Sequence, residues 1–322
     1  MVLAYVEHAG GEPDELSLQT LTFARGYAGG DAVHAVVAGA GAAEAAGALG
    51  AHGVATVHVA SHEALQDGYA PVAAARAVAE VAARLAPAAV VAAGSDRGNE
   101  LLAHAAVFTG GALAVNVVSA TPGESAEVTR QRWGGSLLEH ARLHGPVKLF
   151  TVAPHAVAIE PAAALDAQVE TFTPELRPED LVVRVSEQAG AAAAGVTLAE
   201  APVVVSGGRG VGSSEGFAPL EELAELLGGV VGCSRAVTMA GWRPHTDQVG
   251  QTGTKISPEI YIPCGISGAT QHMAGCKGAK KVLAINADKD APILMSADYA
   301  VVGDLSEIVP AITAELRRVK AG

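Results

Sequence analysis

Over residues 2–118, short apolar runs ending in glycine, proline or polar residues alternate with longer stretches of helical periodicity. Val2–Glu7, Ala32–Val37, Val54–Val59, Ala88–Ala93 and Leu113–Val118 read as strands; Glu15–Tyr27, Ala40–Leu49, Pro71–Leu85 and Glu100–Thr109 read as helices. Apolar runs this short suit strands buried on both faces, and their alternation with helices predicts parallel βαβ units. Gly94–Gly98 is expected to be a turn. Between Glu124 and Val152 the pattern breaks into separated polar and β-rich pieces, VTRQRWGG and then VKLFTV, which predict an antiparallel hairpin or edge extension. Residues 160–199 hold Pro161, Pro174, Pro178 and an AGAAAAG run, and read as a departing strand followed by a linker.

Alternation resumes at Ala201. PVVVSGG is a buried strand ending in glycine, with a helix at Pro219–Leu227. Val230–Cys233 is a short strand before a helix at Ser234–Ala240, and Tyr261–Cys264 leads into a GISGATQH turn and helix. Lys281–Ile285 is a further strand; Met295–Val302 leads to Gly303–Asp304 and a last helix at Leu305–Lys320. The expected fold class is α/β with two domains of mostly parallel sheets: residues 1–190, a linker over 191–200, and a flavodoxin-like or Rossmann-like domain over 201–322. Each strand-to-glycine transition marks the sheet edge at which such folds bind ligands.

Composition narrows the function classes. The chain has 322 residues, half of them apolar and 17% charged, so it can bury substantial cores; with aromatics at 4%, packing must rely on small and β-branched side chains. Its apolar runs are strand-length, which predicts no membrane insertion, and MVLAYVEHAGG enters a strand without a basic leader, so neither a secretory signal nor a transit peptide is expected. Residues 1–199 hold 10 basic and 21 acidic side chains and the remainder 11 and 13, so nucleic-acid binding is not expected. The nearly neutral second part is where a phosphate-rich ligand meets least repulsion. Cys233, Cys264 and Cys276 lack metal-site spacing and read as reduced, buried thiols; His140 and His144, one turn apart, have nothing nearby to complete a metal site.

Three loops carry candidate chemistry. Gly207-Gly208-Arg209-Gly210-Val211-Gly212 follows a strand but is not a clean G-x-G-x-x-G fingerprint; glycines would let backbone N–H groups approach a phosphate while Arg209 adds charge, yet a tight turn without ligand is the plainer reading of these residues alone. No acidic residue ends the next strand, which counts against a standard nicotinamide site. Gly265-Ile266-Ser267-Gly268 joins a strand to a helix whose N–H groups could meet an anion, or could simply be capped by Ser267. Between them, VGQTGTKISPE at Val249–Glu259 suits backbone laid against a flat ligand, or a structural loop.

The ordered series GRGVGS at Gly208–Ser213, CSRAV at Cys233–Val237, DQVGQTGTKISPEIYI at Asp247–Ile262, GISGATQH at Gly265–His272, VLAINADKDAPI at Val282–Ile293 and ADYAVVGDL at Ala297–Leu305 resembles the FAD domain of electron-transfer flavoprotein alpha subunits, the family that includes the FixB proteins. The first 190 residues resemble the family more loosely, through the βαβ pattern, SDRGNEL and Arg132-Trp133-Gly134-Gly135. The resemblance implies FAD in this chain, with Arg235 and Ser234 beside the flavin ring, Thr252 and Gln251 reaching it, His272 near its pyrimidine carbonyl, and Gln271 at the ring or ribityl chain. Arg209, Ser267, Asn286 and Asp304 then hold the phosphates and adenosine half, with Gly265 and Gly268 forming the turn. No metal and no catalytic residue is implied, since the chain would be a redox carrier rather than a stand-alone enzyme. One-electron reduction places negative charge toward one edge of the flavin ring, where an arginine and hydrogen-bond donors raise the potential. The family also implies a beta subunit carrying AMP or a second FAD, acyl-CoA or related dehydrogenases as donors, a quinone oxidoreductase as acceptor, a role in fatty acid beta-oxidation, and a cytoplasmic location in a bacterium. An NADH-oxidising bifurcating complex is the alternative, and a cofactor-free scaffold subunit a third reading.

Overall fold

The structure is a computed structural model describing residues 1–66, 69–133, 135, 137–184, 197–199 and 201–321. The chain divides into two compact units, Met1–Ala189 and Gly190–Gly322. Most of the expected 191–200 linker lies outside the described residues.

In the first unit the chain runs β1 (Val2–Tyr5), β2 (His8–Ala9), β3 (Glu12–Pro13), α1 (Glu15–Ala28), β4 (Val33–Ala38), α2 (Ala42–Ala48), β5 (Val54–Ala60), α3 (Glu63–Gln66), α4 (Pro71–Leu85), β6 (Ala89–Ala93), α5 (Asp96–Thr109), β7 (Ala112–Thr121), β8 (Ala126–Arg132), β9 (Leu137–Leu143), β10 (Lys148–Val152) and β11 (Gln168–Phe172). Nine strands form one sheet in the order β11-β5-β4-β1-β6-β10-β7-β8-β9, parallel except for the β7–β8 and β8–β9 pairs. The period of two along each central strand divides the core between the faces. Val2, Ala4, Val33, Ala35, Ala89 and Val91 pack toward α1 and α2, whereas Leu3, Val36, Val90 and Ala92 pack toward α4 and α5. Alanines at 73, 74, 75, 77 and 82 are buried along α4, so small side chains let that helix lie close to the sheet.

The α/β class is as expected, but three local expectations change. β10 is no part of the hairpin: it is inserted between β6 and β7, with Leu149 opposite both Val90 and Leu113. Phe150 anchors it, fully buried and edge-on to Tyr27 at 5.2 Å and Phe23 at 6.5 Å. The segment expected to depart instead supplies β11, paired parallel with β5. Gly94–Gly98 is not wholly a turn, because α5 begins at Asp96, where the Ser95 hydroxyl accepts the Gly98 N–H at 2.8 Å as a cap.

The second unit runs β12 (Val203–Gly207), α6 (Ala218–Leu226), β13 (Val230–Cys233), α7 (Arg235–Met239), β14 (Ile260–Cys264), α8 (Thr270–Cys276), β15 (Leu283–Asn286), β16 (Tyr299–Val302) and α9 (Leu305–Ala321). Its five strands are all parallel, in the order β13-β12-β14-β15-β16. Leu220 and Leu223 of α6 and Val309 of α9 cover one face, and Cys276 of α8 packs with Val204, Val249 and Tyr261 on the other. The three cysteines are free and buried, and burial pushes each thiol up to about 12. No helix among the described residues is long and apolar enough to cross a membrane.

After β11, an ion pair ties the chain to α4. Arg76 donates Nε and Nη2 to the two Asp180 oxygens at 3.0 Å each, while its guanidinium lies 3.6 Å from the Phe108 ring centroid. Burial opposes the Asp180 charge, but the bonds from Arg76 and the Arg177 amide outweigh it and hold the carboxyl below its usual range. Such a group adds stability above its unfolded pKa and loses it as pH falls through the folded value. Asp180→Asn is therefore expected to lower the stability of the first unit by about 2–3 kcal/mol at neutral pH. The deficit should narrow below about pH 4, as measured by urea unfolding across that range.

Candidate functional site

The chain goes from β12 outward to β13, then returns to β14 on the other side of β12. This reversal puts the carboxyl ends of β12 and β14 beside a crevice, the usual ligand position in an open parallel sheet. The loops leaving those two strands are joined through backbone. Gly208 N–H donates to the Cys264 carbonyl at 2.9 Å, and Gly210 N–H to the Gly265 carbonyl at 3.1 Å. A Cβ on Gly208 would lie 2.2 Å from the Gly265 oxygen. Gly265 (φ +63°) and Gly268 (φ +83°) take the left-handed conformation that glycine tolerates, and a Cβ on Gly268 would lie 2.5 Å from the Ile293 nitrogen.

A cavity of about 410 Å³ opens there. It gathers Arg209, Ser234, Arg235, Gln251, Thr252, Gly265, Ser267, Gln271, His272 and Asn286, ten of the twelve positions expected from sequence. Gly268 does not line the space but shapes its floor against Ile293. Asp304 also lies outside the lining: its Oδ1 accepts the Ser306 N–H and O–H, both at 2.8 Å, at the start of α9. Among the described residues, the guanidiniums of Arg209 and Arg235 have no ion-pair partner, and the hydroxyls of Ser234 and Ser267 make no hydrogen bond. These groups are available to a ligand.

Other polar side chains serve as scaffold. Asn286, buried, donates to the Ile266 carbonyl at 2.8 Å and accepts the Asp288 N–H at 3.0 Å, which braces the 265–268 turn from β15. Gln248 was not among the expected residues, although it lies within the DQVGQTGTK run. It is buried, accepts from Thr238 Oγ1 at 2.7 Å and donates to Thr252 Oγ1 at 3.0 Å, leaving the Thr252 proton for a further acceptor. The Gln251 N–H donates to the Gln271 carbonyl at 2.7 Å, laying the 249–254 loop on the start of α8. His272 is buried, and burial lowers its imidazole to about 4, so it is neutral at physiological pH.

A larger cleft, about 560 Å³, lies in the first unit beside Tyr5, Glu7, His8 and Arg97. Burial raises the Glu7 carboxyl, and its Oε1 accepts from Ser95 at 2.5 Å. With a buried carboxyl in its wall, that cleft is poorly suited to a polyphosphate; the paired glycine loops and unpaired arginines of the second unit suit one.

Comparison with known proteins agrees with this geometry. Residues 197–277 match the electron transfer flavoprotein FAD-binding domain, and residues 2–177 the electron transfer flavoprotein domain. The chain is 39% identical over 319 residues, 99% of both chains, to "Electron transfer flavoprotein subunit alpha" of Mycobacterium tuberculosis. It is 40% identical over 193 residues to "Protein FixB" of Clostridium saccharobutylicum, covering 59% of this chain and 58% of the relative. With the alpha subunit of Paracoccus denitrificans the identity is 55% over 119 residues, 37% of this chain and 39% of the relative.

Contact between the glycine loops has a direct consequence for stability. In Gly265→Ala the new Cβ would need a left-handed φ and would meet Gly210 Cα at 2.8 Å. The second unit is expected to lose about 2–3 kcal/mol, measured by urea unfolding followed through Trp242, which packs against its core.

Proposed function

The chain belongs to the electron transfer flavoprotein alpha-subunit family, and from that membership we propose that its second unit holds FAD and works as a redox carrier rather than as a stand-alone enzyme. The observation that supports this most is the joined pair of glycine loops, with unpaired Arg209 and Arg235 on one cavity. The donor set fits the cofactor. Arg209, Ser267 and the turn that Gly265 and Gly268 allow suit its pyrophosphate, while Arg235, Ser234, Gln251, Thr252, Gln271 and His272 suit a heteroaromatic ring with carbonyl and imine acceptors. Asn286 acts by bracing the turn, and Asp304 by starting α9 beyond it.

When bound, FAD supplies a store that is filled and emptied one electron at a time. The chain orients it and sets its potential. Arg235 stays charged in a partly dry site and lowers the energy of negative charge on the ring. Thr252, with its oxygen already accepting from Gln248, is aligned to donate. His272 meets the ring without adding a charge.

In this reading a beta subunit packs against residues 1–190 and carries AMP, the 191–200 segment links the two domains, and the complex is cytoplasmic if the source is bacterial. Acyl-CoA or related dehydrogenases of fatty acid beta-oxidation deliver electrons, and a quinone oxidoreductase or similar acceptor takes them. Copurification with the beta subunit, followed by release of cofactors, is expected to give one FAD and one AMP per heterodimer. Two FAD, no AMP and direct reduction by NADH would replace this reading with the bifurcating one; absence of flavin would sink both.

Arg235→Ala should retain FAD through the phosphate contacts but lower the first one-electron potential by about 60 mV or more, a tenfold loss of preference for the reduced ring. A stepwise reductive titration of the fully loaded variant measures this. An unchanged potential would remove Arg235 from the ring edge.

A further inference from the structure

His272 stands between the cavity and the apolar layer beneath it, and it is held from behind. Its Nε2 lies 2.7 Å from the Tyr261 hydroxyl, with the two rings stacked at 6.1 Å and 29°. Tyr261 is fully buried on β14, three residues before the Cys264 carbonyl that receives Gly208, and it packs among Val204, Val249, Ile256 and Cys276. The cofactor contacts described above make no use of this tyrosine.

The contact permits two proton arrangements, because a neutral imidazole carries one N–H. Either the Tyr261 O–H donates to Nε2 and the ring proton sits on Nδ1, or Nε2–H donates to the phenol oxygen and Nδ1 is a bare acceptor. Among the described residues the Tyr261 hydroxyl has no other hydrogen-bond partner, so the second arrangement would leave the phenol O–H buried without an acceptor, and the first satisfies it. Burial, reinforced by the nearby Cys276 thiol, raises Tyr261 well above its usual value, so the phenol keeps its proton and must place it somewhere. Nδ1 itself is buried without a partner of hydrogen-bond geometry.

We propose that Tyr261 is a positioning residue for the cavity: by donating to Nε2 it pins the His272 proton on Nδ1, so that the ring offers a ligand a donor and not a lone pair. The assignment of that ligand as FAD rests on the function proposed above. A neutral donor fixed in this way can meet negative charge on the ring edge without the chain taking up a proton. With the tautomer reversed, the lone pair would repel the same charge. Tyr261 and His272 thus join β14 to α8 behind the face that binds.

The test uses the full chain labelled with ¹⁵N-histidine, with and without FAD, and two-bond ¹⁵N–¹H spectra at pH 7. His272 is assigned by its loss in His272→Gln. The Nδ1–H pattern is expected in the wild type, with a shift toward Nε2–H of about tenfold in Tyr261→Phe, the worth of one buried hydrogen bond. An Nε2–H pattern in the wild type overturns the proposal, as does a ratio that Tyr261→Phe leaves unchanged. The wild-type spectrum decides the tautomer even if Tyr261→Phe fails to fold. In the loaded chain, Tyr261→Phe should lower the first one-electron potential at unchanged FAD content; a displaced tautomer with an unmoved potential would overturn the link to the cofactor. A chain that takes up no flavin would end the functional reading, while the unloaded spectrum still judges the tautomer alone.

Discussion

The candidate site depends on the close approach of two backbones. At the carboxyl edge of β12 and β14, Gly208 and Gly210 donate their N–H groups to Cys264 and Gly265, at distances that leave no room for a side chain between the loops. Because the contact is made of main chain, it is short and stiff, and it fixes the spacing of the two strand ends. Arg209 lies between the two donating glycines, so its side chain projects from a segment that is already held. The following helix, α8, then begins at a set position, with Asn286 bracing the turn from the neighbouring strand.

Polar groups around the cavity divide into two sets. Gln248, Asn286 and Asp304 spend their hydrogen bonds on the protein itself, and a buried amide left unpaired would cost on the order of 1–3 kcal/mol. They shape the site. Among the described residues, Arg209, Arg235, Ser234 and Ser267 have no such commitments, and their charge and hydroxyls remain available. His272 belongs to both sets, since Nε2 is engaged and Nδ1 is not. Residue type alone does not separate these sets: Asn286 and Ser267 are both polar residues in family motifs, yet one supports the turn and the other faces outward.

Local order was legible in the chain. Strand-length apolar runs, helical periodicity and glycines after strands are properties of neighbouring residues, and they indicated the α/β class, most element positions and the loops that line the cavity. The long motifs of the second unit brought ten of its twelve candidate positions to one space. The place of Lys148–Val152 was not legible, because an apolar run records that it is buried but not which ladder it joins. Phe150 found its ring partners in α1, more than a hundred residues earlier, and Gln168–Phe172 found an open edge on β5. Nor could the chain alone tell that Asp304 would serve its own helix, or that Tyr261 would reach back under His272. Periodicity and motif are set by covalent neighbours, and sequence by itself determined them. Strand order, the contact between glycine loops and the partner of each polar atom are pairings across the chain, and only tertiary packing decided those.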